Sequence, residues 1–263
     1  MLIRDLPRFN SIKVGWRYLK PGDVSETITQ SCRMVLIEMD DRSLPLARRG
    51  SATLIKYGGK NYVVMTRHQF GLPAGSDVSS VILETARVAS GKGVLSNILL
   101  QRCIFETGNP DEEYHDLLLF ETAAHWKTKH LDQPYFFPLT PFSDRQRVKS
   151  FLVGNPSIDG VIDEYHENFD PLRPGAINIK RVISECEFDS GFNTNASYFR
   201  RYLNVKERPV VDGYSGGAVF SIVGDPGDHE VVLDGIVVRA GKNHVHVIDA
   251  DYLMSLLAER DGV

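Results

Sequence analysis

The apolar residues of this 263-residue chain are gathered in short runs that glycine, proline and asparagine interrupt. Residues 52–56 and 61–66 are two such runs, and the turn sequence at 57–60 between them predicts a β-hairpin. Further strand-like runs lie at 34–38, 81–83, 103–105, 117–120, 148–153, 178–188, 217–223, 231–239 and 244–248. Because helices do not alternate with these runs, we predict an all-β chain of antiparallel barrels or sandwiches.

Two helices are predicted outside the strand-like runs. Asp23, followed by Glu26, matches a capping box and predicts a short helix as far as about Gln30. Near the C-terminus, residues 249–259 begin with an aspartate and have apolar residues at helical spacing. These apolar residues are Tyr252, Leu253, Leu256 and Leu257.

Composition excludes several classes of protein. The 30 basic and 34 acidic residues give a net charge of -4, so no basic field is expected to attract nucleic acid. No run reaches the roughly 18 apolar residues that span a bilayer, and the N-terminus lacks a secretion signal, so we expect a cytoplasmic protein without a membrane partner.

Cys32, Cys103 and Cys186 are too few and too scattered to predict a disulfide framework. His244 and His246 share one strand face but lack an evident third ligand, so we predict no metal and no cofactor.

The glycine-rich segment 212–220 is the most informative part of the chain, because Ser215 is surrounded by Gly213, Gly216 and Gly217 and is followed by a strand-like run. Glycine-rich backbone can direct N–H groups at the negative oxygen that forms when a serine attacks a carbonyl. Gly213 and Ser215 are the predicted donors of this oxyanion hole. A tight turn with an inactive serine is the alternative. The strand after the serine disfavours the strand-to-helix nucleophile turn of α/β-hydrolases.

A serine nucleophile needs a base and a carboxylate that orients the base. His68 follows the apolar run 62–66, where we expect a strand to end at the rim of a barrel. Asp116 immediately precedes the apolar run 117–120, and a partly buried aspartate at such a position requires hydrogen-bond donors. The alternatives are a structural histidine at a strand end and an aspartate that caps a turn.

These segments occur in the order His68, Asp116, Ser215, and together they resemble the chymotrypsin and trypsin-like serine peptidases, in particular bacterial members. Residues 50–55, 151–156 and 234–238 also resemble strands of that family. The resemblance implies two antiparallel six-stranded β-barrels with a short N-terminal helical arm and a C-terminal helix. It divides the chain into an arm at 1–45, a first barrel at 46–140 and a second barrel with the C-terminal helix at 141–263.

The resemblance further implies a serine endopeptidase in which Ser215 attacks, His68 is the general base and acid, and Asp116 orients His68. Its expected partners are a protein or peptide substrate and a regulatory protein. A binding module without catalysis and a hydrolase of small esters remain open. Thr66, Arg67 and Tyr214 depart from the residues that are usual in the family.

The resemblance also predicts which residues contact substrate. If Arg239, Lys242 or His244 reaches the specificity pocket, a positive wall would favour an acidic residue before the scissile bond. The alternative is that these are solvated loop residues. The predicted substrate-binding residues are Pro209, Asp212, Val238, Arg239, Ala240 and His244.

Overall fold

The computed structural model describes residues 11–40, 46–71, 77–89, 97–106, 116–123, 135–141, 145–156, 181–194, 198–205 and 212–261. The strands are β1 Ile12–Val14, β2 Arg17–Leu19, β3 Cys32–Glu38, β4 Leu46–Tyr57, β5 Lys60–Thr66, β6 Ala86–Ala89, β7 Asn97–Ile98, β8 Leu100–Glu106, β9 Leu117–Thr122, β10 Phe137–Pro138, β11 Arg147–Gly154, β12 Val182–Phe188, β13 Phe199–Leu203, β14 Ala218–Val223, β15 Glu230–Ala240 and β16 His244–Asp249. The helices are α1 Pro21–Thr29, α2 Val78–Thr85, α3 Ala250–Asp261 and a 3₁₀ helix at Arg67–Phe70. The prediction of a mainly β chain is confirmed.

The strands form two sheets. In the C-terminal half the order is β14-β11-β12-β13-β16-β15, and pairing of β14 with β15 closes a six-stranded barrel. In the N-terminal half the order is β7-β6-β3-β4-β5-β9-β8, and the described residues form a half-barrel without pairing between β7 and β8. The second barrel is therefore closed as predicted, whereas the described part of the first is open.

The β4–β5 hairpin is confirmed, and its turn explains the register of the first sheet. Gly58 and Gly59 both have positive φ, 54° and 80°, which suits a two-residue hairpin turn and is readily adopted by glycine. Tyr57 therefore pairs with Lys60, and the hairpin continues to the pairing of Thr53 with Val64.

Helix positions differ from the sequence prediction at two points. Helix α1 begins at Pro21 rather than Asp23, because proline suits the first turn, where its missing N–H is not needed. The run 81–83, predicted as a strand, lies in α2, so that prediction was wrong. The Asp77 side chain accepts a hydrogen bond from Ser80 N at 3.0 Å and caps this helix. The prediction failed because a short apolar run alone does not distinguish a helix from a strand. The C-terminal helix is confirmed.

Residues assigned to the N-terminal arm take part in both sheets. Strand β1 pairs in parallel with β15 of the second barrel, and β2 pairs with β1. Strand β3 pairs with β4 and β6 inside the first sheet. The described part of the arm is thus integrated into the two sheets.

One hydrophobic core is shared by both sheets. Ile55, Tyr62 and Leu119 from the first sheet belong to the same buried cluster as Val153 and Phe220 from the second barrel. The phenyl rings of Phe137, from β10, and Phe220, from β14, lie 4.9 Å apart between their centroids. Burial of this shared apolar surface stabilises the contact between the two halves.

A buried polar network lies inside the second barrel. The carboxylate of Asp234, which is 4% exposed, accepts hydrogen bonds from Ser221 and from Arg147. The hydroxyls of Ser150 and Ser221 are 2.6 Å apart. These contacts join β11, β14 and β15, and they stabilise the buried charge, which would be costly without partners.

The three cysteines are free thiols. Cys32 and Cys186 are buried, and burial raises the pKa of Cys32 to about 11 and raises that of Cys186 as well. Both thiols therefore stay protonated near neutral pH, and a protonated thiol is a poor nucleophile. None of the helices in the described ranges is long and apolar enough to cross a membrane.

Candidate active site

His68 lies in the 3₁₀ helix that follows β5. Sequence analysis placed it at the end of the strand, but β5 ends at Thr66 and His68 is in the turn after it. The side-chain oxygen of Gln69 accepts hydrogen bonds from the N–H of Thr66 at 2.7 Å and from its hydroxyl at 2.9 Å. This local capping box turns the chain, and the His68 side chain remains 48% exposed.

Asp116 is brought to His68 by strand pairing. Thr66, the last residue of β5, pairs with Leu117, the first residue of β9, so Asp116 lies beside the turn that holds His68. One carboxylate oxygen accepts a hydrogen bond from His68 N at 3.0 Å, and the other contacts His68 Nδ1. The carboxylate therefore orients the ring with a proton on Nδ1 and leaves Nε2 as the basic nitrogen.

Ser215 completes the arrangement from the second barrel. Its Oγ lies 2.7 Å from His68 Nε2, so a proton can pass directly between these two atoms. The structure thus brings together the three residues that sequence analysis selected as catalytic, His68, Asp116 and Ser215.

The loop that carries Ser215 depends on glycine. Gly213 and Gly216 have φ values of +91° and +77°, which side chains disfavour. Gly217 N donates to the carbonyl of Tyr214 at 2.7 Å, and because the peptide between Tyr214 and Ser215 is trans, the Ser215 N–H points away from that carbonyl. The hydrogen bond from Gly217 N to the Tyr214 carbonyl therefore fixes the direction of the Ser215 N–H, one of the two predicted oxyanion donors.

Ser51 of β4 holds the same loop from the first sheet. Its N–H donates to the carbonyl of Ser215 at 3.0 Å, and its hydroxyl donates to the carbonyl of Gly213 at 2.6 Å. The Ser51 hydroxyl also accepts a hydrogen bond from Asn155 N at 2.8 Å. One buried serine thus orients the carbonyls on both sides of Tyr214.

Gln69 connects the histidine turn to β4. Its side-chain amide donates to the carbonyls of Arg49 at 3.1 Å and Ser51 at 2.9 Å. A Cβ atom at Gly50 would lie 2.6 Å from Gln69 Nε2, and one at Gly216 would collide with the Ser51 carbonyl. The segments that carry His68 and Ser215 are therefore connected to β4 through close contacts at glycine residues.

A cavity of about 660 Å³ opens around the triad. It contains four of the predicted substrate-binding residues, namely Asp212, Val238, Arg239 and Ala240. His244 does not line it, because its ring lies over Gly241 instead. Pro209 lies outside the described residues.

Several residues around this cavity were not predicted from the sequence. Gln69, Gly50 and Phe199 line it, and so do Arg48 and Arg49. The ring of Phe199 stacks on that of His246, with 5.2 Å between their centroids. Across the described ranges, no group of three His, Cys, Asp or Glu side chains is arranged to hold a metal ion.

No protein-family model and no curated protein sequence matches the chain. Among solved structures, the fold is similar to that of a thermostable serine protease, AL20, from an extremophilic microorganism, with a TM-score of 0.51 and 12% identity. The similarity covers 89% of this chain and 98% of that protein. The predicted chymotrypsin-like fold is thereby confirmed.

Proposed function

We propose that this protein is a serine endopeptidase. The observation that carries the proposal is the 2.7 Å distance between Ser215 Oγ and His68 Nε2, in a ring whose Nδ1 contacts the Asp116 carboxylate. A hydroxyl is a poor nucleophile at neutral pH, and a neighbouring imidazole held in one tautomer is the arrangement that activates it. The fold similarity to a serine protease supports the same reaction class.

In the proposed reaction His68 takes up and releases a proton twice, once in acylation and once in deacylation. Ser215 Oγ attacks the peptide carbonyl while its proton passes to His68 Nε2, and the N–H groups of Gly213 and Ser215 stabilise the oxyanion. His68 then gives the proton to the leaving amine, and an acyl-enzyme remains on Ser215. Water attacks the ester carbonyl while His68 takes a proton from the water, and His68 returns that proton to Ser215 Oγ as the bond between Oγ and the acyl carbon breaks.

The end of β15 offers a place for a peptide backbone. Pairing of β15 with β14 ends at Ile236, which pairs with Ala218, and residues 238–240 continue beyond it along the cavity. Extended peptides bind proteases and other proteins by adding a strand to such an edge. This feature favours a peptide over a small ester as substrate.

Labelling with a fluorophosphonate probe tests the nucleophile without requiring a known substrate. We expect the wild-type protein to be labelled and both Ser215→Ala and His68→Ala to be unlabelled. Ser255→Ala is the control, because this serine lies on α3 and its hydroxyl bonds only to the helix carbonyl of Tyr252. Absence of labelling in the wild-type protein would contradict the proposal and favour a binding module.

Digestion of unfolded casein, followed by mass spectrometry of the new termini, separates peptidase from esterase activity. We expect peptide cleavage by the wild-type protein. A protein that is labelled and hydrolyses small esters but leaves casein intact would instead be an acyl hydrolase. The regulatory partner stays a prediction, and full casein digestion without any added protein would contradict it.

A further inference from the structure

Three arginines line the cavity around Ser215: Arg48, Arg49 and Arg239. The acidic side chains in the same lining are Asp116, which contacts His68, and the exposed Asp212. Among the described residues, the lining has three positive and two negative charges, and the Asp116 carboxylate faces His68. The cavity of an otherwise acidic chain is therefore locally cationic.

Arg48 is a partly buried cation. Its guanidinium donates to the carbonyl oxygen of Asn155, its Nε is buried without a hydrogen bond, and it forms no ion pair with a carboxylate in the described part of the chain. Burial lowers the pKa of Arg48, because removal of water disfavours the charged form. A partly buried cation of this kind gains from an incoming carboxylate more than an exposed one does.

Arg49 reaches the same cavity because of a β-bulge. Val35 pairs with Gly50 and Leu36 pairs with Arg48, so Arg49 is the extra residue of β4 at this point. Consecutive side chains of a regular strand point to opposite faces, whereas a bulge redirects one of them. The bulge thus explains how two adjacent arginines can line one cavity. Among the described residues, Arg49 also has no carboxylate partner, and its Nε is buried without a hydrogen bond.

The two arginines lie on the leaving-group side of the nucleophile. The loop of Ser215 is bonded on one side to Ser51 of β4 and on the other to Val237 of β15. A substrate whose acyl part adds to residues 238–240 therefore directs its leaving part towards β4. The side-chain amide of Gln69, the residue after the proposed proton donor His68, donates a hydrogen bond to the Arg49 carbonyl, so the backbone of β4 at Arg49 is tied to the turn that carries His68.

We propose that Arg48 and Arg49 select peptides with an acidic side chain in the first or second position after the scissile bond. This inference rests on the proposed endopeptidase function and names the substrate class of the same site. Arginine suits the role because its planar guanidinium can donate two parallel hydrogen bonds to a carboxylate. This selection differs from the acidic preference before the scissile bond that the sequence suggested, because it uses β4 rather than the end of β15, the turn after it and the start of β16.

Matched fluorogenic peptides test the proposal directly. Each pair has the same cleavage site and carries either Asp or Asn, or either Glu or Gln, in one of the two positions after it. We expect the wild-type kcat/KM to be about 10- to 100-fold higher for the acidic member, with the ratio falling as salt increases. Equal cleavage of acidic and amide peptides would overturn the proposal.

Substitutions of Arg48 and Arg49 test whether these two residues cause the preference for acidic peptides. Arg48→Gln with Arg49→Gln should reduce the ratio to about 3-fold or less, whereas Arg49→Lys should retain part of it because the charge remains. Arg102→Gln is the matched control, since Arg102 is exposed, pairs with Glu121 in the first sheet and does not line the cavity. A double variant that folds and keeps the full preference would also overturn the proposal.

Two further measurements separate this inference from the proposed function. Fluorophosphonate labelling together with equal cleavage of all peptides would support the proposed endopeptidase function and contradict the proposed selection of acidic peptides. If the wild-type protein cleaves no peptide, fluorescence anisotropy of the same labelled peptides with Ser215→Ala still measures recognition. Tighter binding of acidic members, lost in the double arginine variant, would support the arginine pair, and equal binding would refute it.

Discussion

The contact of His68 with Asp116 and its contact with Ser215 are built in different ways. The first lies within one sheet, because pairing of Thr66 with Leu117 places the two residues side by side. The second joins two sheets, and the nucleophile loop is held across the boundary by hydrogen bonds from Ser51 and Thr53. Orientation of His68, the proposed base, therefore depends on strand register, whereas alignment of Ser215, the proposed nucleophile, depends on a small number of contacts between sheets.

Asp116→Asn tests the contact within the sheet and should have the largest effect. The asparagine oxygen can still accept from His68 N, but its NH₂ group would face Nδ1 and favour the wrong tautomer of the ring. We expect the rate of fluorophosphonate labelling to fall about 10⁴-fold with little change in thermal stability. A variant that labels within 10-fold of the wild-type rate would show that Asp116 does not orient the base.

Ser51→Ala tests the contact between sheets. The variant loses the bond to the Gly213 carbonyl and leaves Asn155 N without its acceptor, while the backbone bond from residue 51 to Ser215 remains. Because small displacements of reacting groups are costly, we expect labelling to slow by about 10- to 100-fold. A folded variant that labels at the wild-type rate would show that the Ser51 hydroxyl does not align Ser215.

Ser221→Ala provides the comparison inside the second barrel and should have the smallest effect on activity. It removes a hydrogen bond to the buried Asp234 carboxylate and the contact with the Ser150 hydroxyl, and Ser221 does not line the cavity. We expect a loss of about 1–3 kcal/mol in the free energy of unfolding, measured with urea, and an unchanged labelling rate. A slower labelling rate in the folded variant would indicate that the barrel interior also controls the nucleophile.

The residues that perform the proposed chemistry could be selected from the sequence, because each has a distinctive neighbourhood. Ser215 lies among glycines, and His68 and Asp116 lie at the ends of apolar runs. The residues that align them could not be selected. Ser51 and Gln69 act through contacts between segments that are distant in sequence. Arg49 lines the cavity at a β-bulge, and no local sequence pattern predicts that bulge.

The same reasoning applies to the fold. Most strands were predicted because short apolar runs bounded by turn residues are local signals, as in the β4–β5 hairpin. Helix α2 was missed, because its apolar run is short and its cap, Asp77, acts through a side-chain hydrogen bond. Pairing of β1 with β15 joins residues more than 200 positions apart and has no local signature.

The core shared by the two sheets limits how the molecule can be taken apart. Ile55 and Leu119 from one half are buried in the same cluster as Val153 and Phe220 from the other, so either half alone would expose a large apolar face to water. The halves are therefore poor modules for exchange. A chimaera that grafted the arginine-bearing sheet onto another barrel would need to carry the matching half of this interior with it.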